Sequence, residues 1–324
     1  MKLLLGAKKY LEQCELKKQK AMEPERDIDE VDDDFVIPEQ KNLAMKMIVA
    51  LGFHPLDYAK HLIMLGHEPL APYQTPWFGR SYYMYPNVLK YVGHIYSVDG
   101  VLGCFRGIVY KQSNVFIQHT LLTYFDKEYP GPAVSQSLVS KLKRNITVKC
   151  ICTIASHPLQ LMMVRCMAQF VGRENVCSEW NPLVNLFRIL KLEGLAGLFK
   201  GFWARLAGEC ALVATSVIIV HGMYKLARHM DPDSDPASTE KSMVLYSTLV
   251  NFVCQSLFYP YHVVSTTMSV NNSEFKIGNP PLSPIFSNSV DCYNHLRYFN
   301  QTKRGSSLFY RFVPTVSNGL LKAA

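Results

Sequence analysis

The 324-residue chain lacks most of what would assign it a simple chemistry. It has no Gly-rich phosphate loop, nucleophile elbow or cluster of metal ligands, so we expect neither enzyme activity nor a cofactor or metal. Its nine cysteines are odd in number and scattered, and Cys150 and Cys152 stand too close for the usual two-by-two metal arrangement. They read as reduced, small apolar residues. A secretory signal is missing: "MKLLLG" is a very short apolar run before the chain turns polar. A good mitochondrial presequence is missing too, because "AKKYLEQCELKKQK" has no arginine and contains Glu12 and Glu15. Any organelle address is expected from internal segments.

Acids are scarce outside one stretch. Glu23 to Asp34 ("EPERDIDEVDDD") carries eight of the 26 acids, so the formal net charge of +8 hides a body of +15. No aromatic-rich strand platform, basic helix or finger spacing accompanies that excess, which argues against nucleic acid. Anionic lipid head groups and acidic polypeptides are the better partners. Residues 1–41 are expected to form a disordered basic and acidic tail, solvated or holding basic segments of partners.

Also absent is any purely apolar long helix. Hydrophobic residues make up 48% of the chain, yet mean hydropathy is only +0.02. Five segments, roughly 42–66, 108–128, 145–171, 202–229 and 243–270, nevertheless approach or exceed the ~20 residues that span a bilayer. The expected class is therefore an all-α membrane protein.

What is present is repetition. "HPLDYAKHLIMLGHEPL" (His54–Leu70), "HPLQLMMVRCMAQF" (His157–Phe170) and "YPYHVVSTTMSV" (Tyr259–Val270) place Pro55, Pro158 and Pro260 about a hundred residues apart. A second signal follows each: "DGVLGCFRG" with Asp99, Gly100, Arg106 and Gly107, "EGLAGLFKG" with Glu193, Gly194, Lys200 and Gly201, and the weaker "RGSSLFYRF" with Gly305. Short amphipathic helices over 87–98, 181–192 and 291–302 precede them, ending at glycines that tolerate positive φ. A soluble solenoid is the competing reading, but its units are typically ~20–45 residues. The expected division is 42–135, 136–236 and an incomplete 237–324.

These two signals resemble those of the mitochondrial carrier family, P-x-[DE]-x-x-[KR]-x-[KR] and [DE]-G-x-x-x-x-[WYF]-[KR]-G, over nearly everything after residue 42. The resemblance implies three two-helix repeats around a polar cavity, closed by ionic gates between repeats. The gates are broken here. Only the first repeat keeps the acid and base after its proline, Asp57 and Lys60; the second has Gln160 and Met163, although Arg165 survives later, and the third has His262 and Ser265. The opposite gate is equally defective, with "FDKEY" (Phe125–Tyr129) lacking the base and "YKLAR" (Tyr224–Arg228) lacking the acid. After Pro314 only "TVSNGLLKAA" remains, so the sixth transmembrane helix is expected to be missing or truncated. With the phrases "HEPL", "MAQFVGRE", "SVNNS" and "PPLSPIF", these losses resemble a divergent branch, the mitochondrial carrier homolog family. That branch implies a multi-pass outer-mitochondrial-membrane protein that inserts tail-anchored and other α-helical clients, scrambles lipids and receives the truncated form of pro-apoptotic Bid.

Polar residues recur on single helix faces: Lys111, Asn114 and Gln118; Lys149, Thr153, Ser156 and Gln160; Arg205, Glu209 and Ser216; Asn251, Gln255, His262 and Thr266; and Asp57, Lys60 and His61 beside Pro55. A charge at the bilayer centre costs on the order of 3 kcal/mol, so such stripes should face a bundle interior or water. With five helices rather than six, the cavity would open sideways as a polar groove. The rival readings are inter-helix glue, worth ~0.6 kcal/mol per contact, and a relic of transporter ancestry. A receptor or scaffold for apoptotic or metabolic regulators, and a solute transporter of the carrier type, are the rival functions. Glu209 is the strongest single candidate, although Arg205 at i−4 offers it a local partner.

Overall fold

The computed structural model describes residues 42–77, 80–129, 137–178, 180–230 and 236–314. The expected tail 1–41 and the expected truncated sixth helix after Pro314 lie outside them. Helices dominate: α1 (Leu43–Gly52), α2 (His54–Met64), α3 (Val88–Gly103), α4 (Ile108–Glu128), α5 (Leu138–Gly172), α6 (Pro182–Leu198), α7 (Phe202–Met230), α8 (Pro236–Leu257), α9 (Tyr259–Val270) and α10 (Ser289–Tyr298).

Two of the five expected long helices are broken, and proline chemistry explains where. Pro55 and Pro260 have no N–H and their rings clash with the carbonyl four residues back, so each falls in the first turn of a new helix. The residues at the breaks adopt nearly the same conformation, Phe53 at φ −89°, ψ 3° and Phe258 at φ −90°, ψ 8°. Pro158, by contrast, sits inside a continuous α5 of 35 residues, which begins earlier than the expected 145. By length and apolar composition α7 alone, among the described helices, could cross a membrane unaided. Even α7 carries a charged stripe, with Arg205 and Glu209 near its start.

The glycine signals behave as the spacing predicts. Gly100, Gly194 and Gly305 have φ of 71°, 69° and 75°, and Gly107 and Gly201 have 82° and 75°. Gly201 is far more constrained than Gly100, since a Cβ there would lie 2.5 Å from the Ser265 carbonyl oxygen of α9, whereas one at Gly100 meets nothing within 4 Å. Gly201→Ala is therefore expected to lower thermal stability in detergent by more than Gly100→Ala, whose cost is the ~1–3 kcal/mol of positive φ alone. Equal shifts would contradict the packing.

The two histidines before the first prolines make matching contacts. His54 Nε2 lies 3.0 Å from the Arg106 carbonyl and His157 Nε2 lies 3.2 Å from that of Lys200. Each ring stacks on the preceding aromatic of the glycine signal, Phe105 or Phe199. Around them packs the main core, with Tyr58, Leu62, Tyr91, Ile95, Leu161 and Met167 fully or almost fully buried.

One element was not expected. Tyr73–Trp77 (β1) and Arg80–Tyr85 (β2) form an antiparallel hairpin, and Arg311–Phe312 (β3) adds to β2 by pairing Met84 with Phe312 and Tyr85 with Arg311. Phe312 stands where the first two signals have Gly107 and Gly201, whose left-handed conformation opens α4 and α7. Without glycine, the third signal runs into extended chain.

Candidate functional site

The large helices pack in a row, α1 on α4, α4 on α5, α5 on α7 and α7 on α8, with α9 also against α5 and α7. At the proline end α9 meets α2; no comparable packing joins α8 back to α1 among the described residues. Facing outward are large apolar side chains: Ile48 and Leu51 of α1, Phe116 of α4, Ile154 of α5, Ile218 of α7 and Phe252 of α8 are all exposed. So many large exposed apolar side chains suit a membrane surround. Apart from that of α8, the polar stripes lie between the helices.

Three polar clusters follow one another along the bundle. Nearest the first break, Asp57 of α2 is ion-paired to Lys111 of α4, and the Asp57 carbonyl bonds His61 Nδ1 at 2.8 Å. Lys60 lies over the Tyr259 ring, 5.3 Å from its centroid. Asp57 thus neutralises a cation of α4, the next long helix in the chain. In the second cluster, Asn114 donates to Gln160 Oε1 at 3.0 Å and Gln118 donates to Asn114 Oδ1 at 2.8 Å, tying α4 to α5.

The third cluster joins α5 to α7. Glu209 pairs with Lys149 at 2.9 Å, not with Arg205, which corrects the local pairing considered from spacing. Arg205 reaches across to Ser156 Oγ at 3.2 Å, while its Nη1 is buried with no hydrogen-bond partner among the described residues. Both Arg205 and His262 stand within electrostatic reach of Glu209. A single carboxylate therefore sits among three basic side chains. It is also accessible: the Glu209 and Lys149 side chains keep 15% and 33% of their surface exposed.

Most of the expected groove residues are brought together: Asp57, His61 and Lys111; Asn114, Gln118 and Gln160; Arg205, Glu209 and His262. Lys60 borders them. Asn251 is half-buried and Gln255 exposed, and neither joins the clusters by a hydrogen bond among the described residues, so α8 contributes less than its stripe implied. Two further polar contacts were not expected from the sequence. Lys141 lies 3.4 Å from His221 Nδ1, and Arg144 pairs with Asp126 at 2.5 Å. Lys141 is eight residues before Lys149 and hence on the same face of α5, a signal that spacing alone carries.

The signal residues form a separate ionic layer. Arg165 donates two parallel bonds of 2.8 Å to Glu193, which also pairs with Lys200 at 2.8 Å, and Asp99 pairs with Arg106 at 3.3 Å.

Comparison with known proteins agrees with this architecture. The mitochondrial carrier protein family model matches residues 135–230. The chain is 30% identical over 303 residues to mitochondrial carrier homolog 1 of Mus musculus, covering 84% of this chain and 77% of that protein. It is 32% identical over 279 residues to mitochondrial carrier homolog 2 of Homo sapiens and of Mus musculus, covering 80% of this chain and 89% of each relative.

Proposed function

The chain belongs to the mitochondrial carrier homolog family, and on that footing we propose that it is a multi-pass protein of the mitochondrial outer membrane that inserts tail-anchored and other α-helical proteins. Its working part is a polar groove open to the lipid between α8 and α1. The fold behind it is an incomplete set of three carrier repeats.

One observation supports this reading above the others: partnered polar side chains run between helices whose outer faces are apolar, in a row that, among the described residues, has no matching packing between its first and last members. A client's polar tail would cross along Asp57–Lys111, Asn114–Gln118–Gln160 and Lys149–Glu209, exchanging water for hydrogen bonds at each step. Its apolar segment would leave sideways into the bilayer. Such a path removes the cost of taking bare polar groups through hydrocarbon, several kcal/mol for each unsatisfied backbone group. Lipid head groups could take the same route, which makes scrambling an expected companion activity. Reception of a Bid-like pro-apoptotic partner rests on family resemblance alone.

Photo-crosslinking tests the path. A crosslinker at Gln118 or His262 should capture a tail-anchored client in transit, while one at exposed Leu249 on the outer face of α8 should capture chiefly lipid. Client captured equally at all three positions would count against a groove. Capture at Leu249 alone would favour a receptor surface.

A further inference from the structure

In the first two glycine signals the acid pairs with the base seven residues on, Asp99 with Arg106 and Glu193 with Lys200. The third signal reverses that charge. Arg304 occupies the acid's place, and the basic place three residues before the end of α9, filled by Arg165 in the preceding repeat, holds Thr267. Arg311, deprived of its usual partner, is ion-paired to Glu68 instead and donates to the Pro86 carbonyl at 2.8 Å.

Arg304 is left with neutral partners. Its guanidinium donates to Gln301 Oε1 and Thr267 Oγ1, both at 3.3 Å, and its Nε is buried without a hydrogen bond among the described residues. No carboxylate among the described residues lies within ion-pair distance of it. Glu68 acts on it electrostatically, but the Glu68 carboxylate is engaged by Arg311. Burial pulls the Arg304 guanidinium down to about 10, the response of a cation short of compensation.

Beside this cation is a cavity of about 580 Å³, between the end of α2, the segment before α10, α10 itself and β3. Among the described residues Lys303, Arg304 and Arg311 line it against one acid, Glu68, an excess of two positive charges. The hydroxyls of Ser306 and Ser307 and the amides of Asn300 and Gln301 add donors, while Ile63, Leu65, Leu282 and Phe286 supply an apolar side. Donors arriving from several directions suit a tetrahedral oxyanion better than a planar carboxylate.

We propose that this cavity binds a phosphate-bearing ligand, with Arg304 and Lys303 as the principal charges. The site is distinct from the groove and does not depend on insertion. The phosphate can come from an anionic lipid head group or from a soluble phosphate ester, and the apolar side admits either a glycerol backbone or a small organic group.

The test uses the full chain in detergent. Binding of phosphatidylglycerol, phosphatidylcholine and glycerol 3-phosphate would be followed by native mass spectrometry and by thermal shift, for wild type, Lys303→Gln and Arg304→Gln. Retention of phosphatidylglycerol over phosphatidylcholine is expected if lipid is the source, and a saturable shift with glycerol 3-phosphate if a soluble ester is. In either case each variant should weaken binding roughly tenfold or more, the loss of one charge-assisted contact. Arg304→Gln should leave the unliganded melting temperature unchanged or higher, because it removes a charge the fold does not neutralise. If Arg304→Gln does not fold, Lys303→Glu carries the same test from an exposed position. Binding of neither anion, or binding that the variants leave intact, overturns the assignment.

Discussion

Glu209→Lys is expected to lower insertion of a tail-anchored client by roughly tenfold or more, the effect of losing at least ~1.4 kcal/mol at a step the client must pass. Among the described residues Glu209 is the acid that faces Lys149, Arg205 and His262, so reversal gathers like charges between α5 and α7 where one 2.9 Å ion pair now stands. Removing one partner of a buried pair costs on the order of 3–5 kcal/mol, and partial exposure of this one places it toward the lower end. Folding must therefore be separated from function. The swap Lys149→Glu with Glu209→Lys keeps a pair and should recover the melting temperature, but it moves the carboxylate away from Arg205 and His262. If the swap folds as wild type does and inserts less well, the position of the acid matters. If single and double variants both insert normally, Glu209 is structural.

Arg165→Met is expected to produce the largest loss of stability. Arg165 is 2% exposed, donates from Nε to the Ser269 carbonyl at 3.0 Å and grips Glu193 with two bonds, so one side chain links α5, α6 and the end of α9. Its loss leaves the partly buried Glu193 carboxylate with Lys200 alone and the Ser269 carbonyl without its donor, a cost toward the lower end of about 3–5 kcal/mol. Glu193→Leu in the same chain should recover part of that by removing the half-paired acid. The pair also dictates an acid limb. Burial alone would raise the Glu193 carboxyl, but hydrogen bonds from Arg165 and Lys200 and their charges outweigh it and hold it below the ordinary value. A carboxyl depressed on folding stabilises fully above its unfolded pKa, about 4.3, and loses that contribution as pH falls through the lower folded value. Thermal unfolding in detergent between pH 7 and pH 3 should show this decline in wild type and a smaller one in Arg165→Met. An identical pH profile in the two proteins would remove the pair from the account.

Much of this was legible from local chemistry. A glycine tolerates positive φ whatever surrounds it, so the turns at Gly100 and Gly194 could be placed from sequence, whereas Pro55 and Pro260 start new helices and Pro158 does not break one. Helix faces were legible for the same reason: Lys111, Asn114 and Gln118 share a side of α4 by periodicity alone. Partners were not. Spacing could offer Arg205 to Glu209 but could not reveal that α5 brings Lys149 closer, because that depends on how two helices cross. The β-sheet was hidden for a similar reason, since β3 comprises two residues whose pairing with β2 spans more than two hundred positions. The breaks at Phe53 and Phe258 show a third limit. Apolar composition continues through them, so hydropathy read one helix where proline starts a second.

The measurement that tests the central claim most directly is reconstitution of the purified chain alone in liposomes of outer-membrane lipid composition, followed by protease protection of an added tail-anchored protein. The groove account predicts protection well above that of empty liposomes, strongly reduced by Glu209→Lys. Protection no greater than that of empty liposomes, with the protein folded in the bilayer, would contradict it.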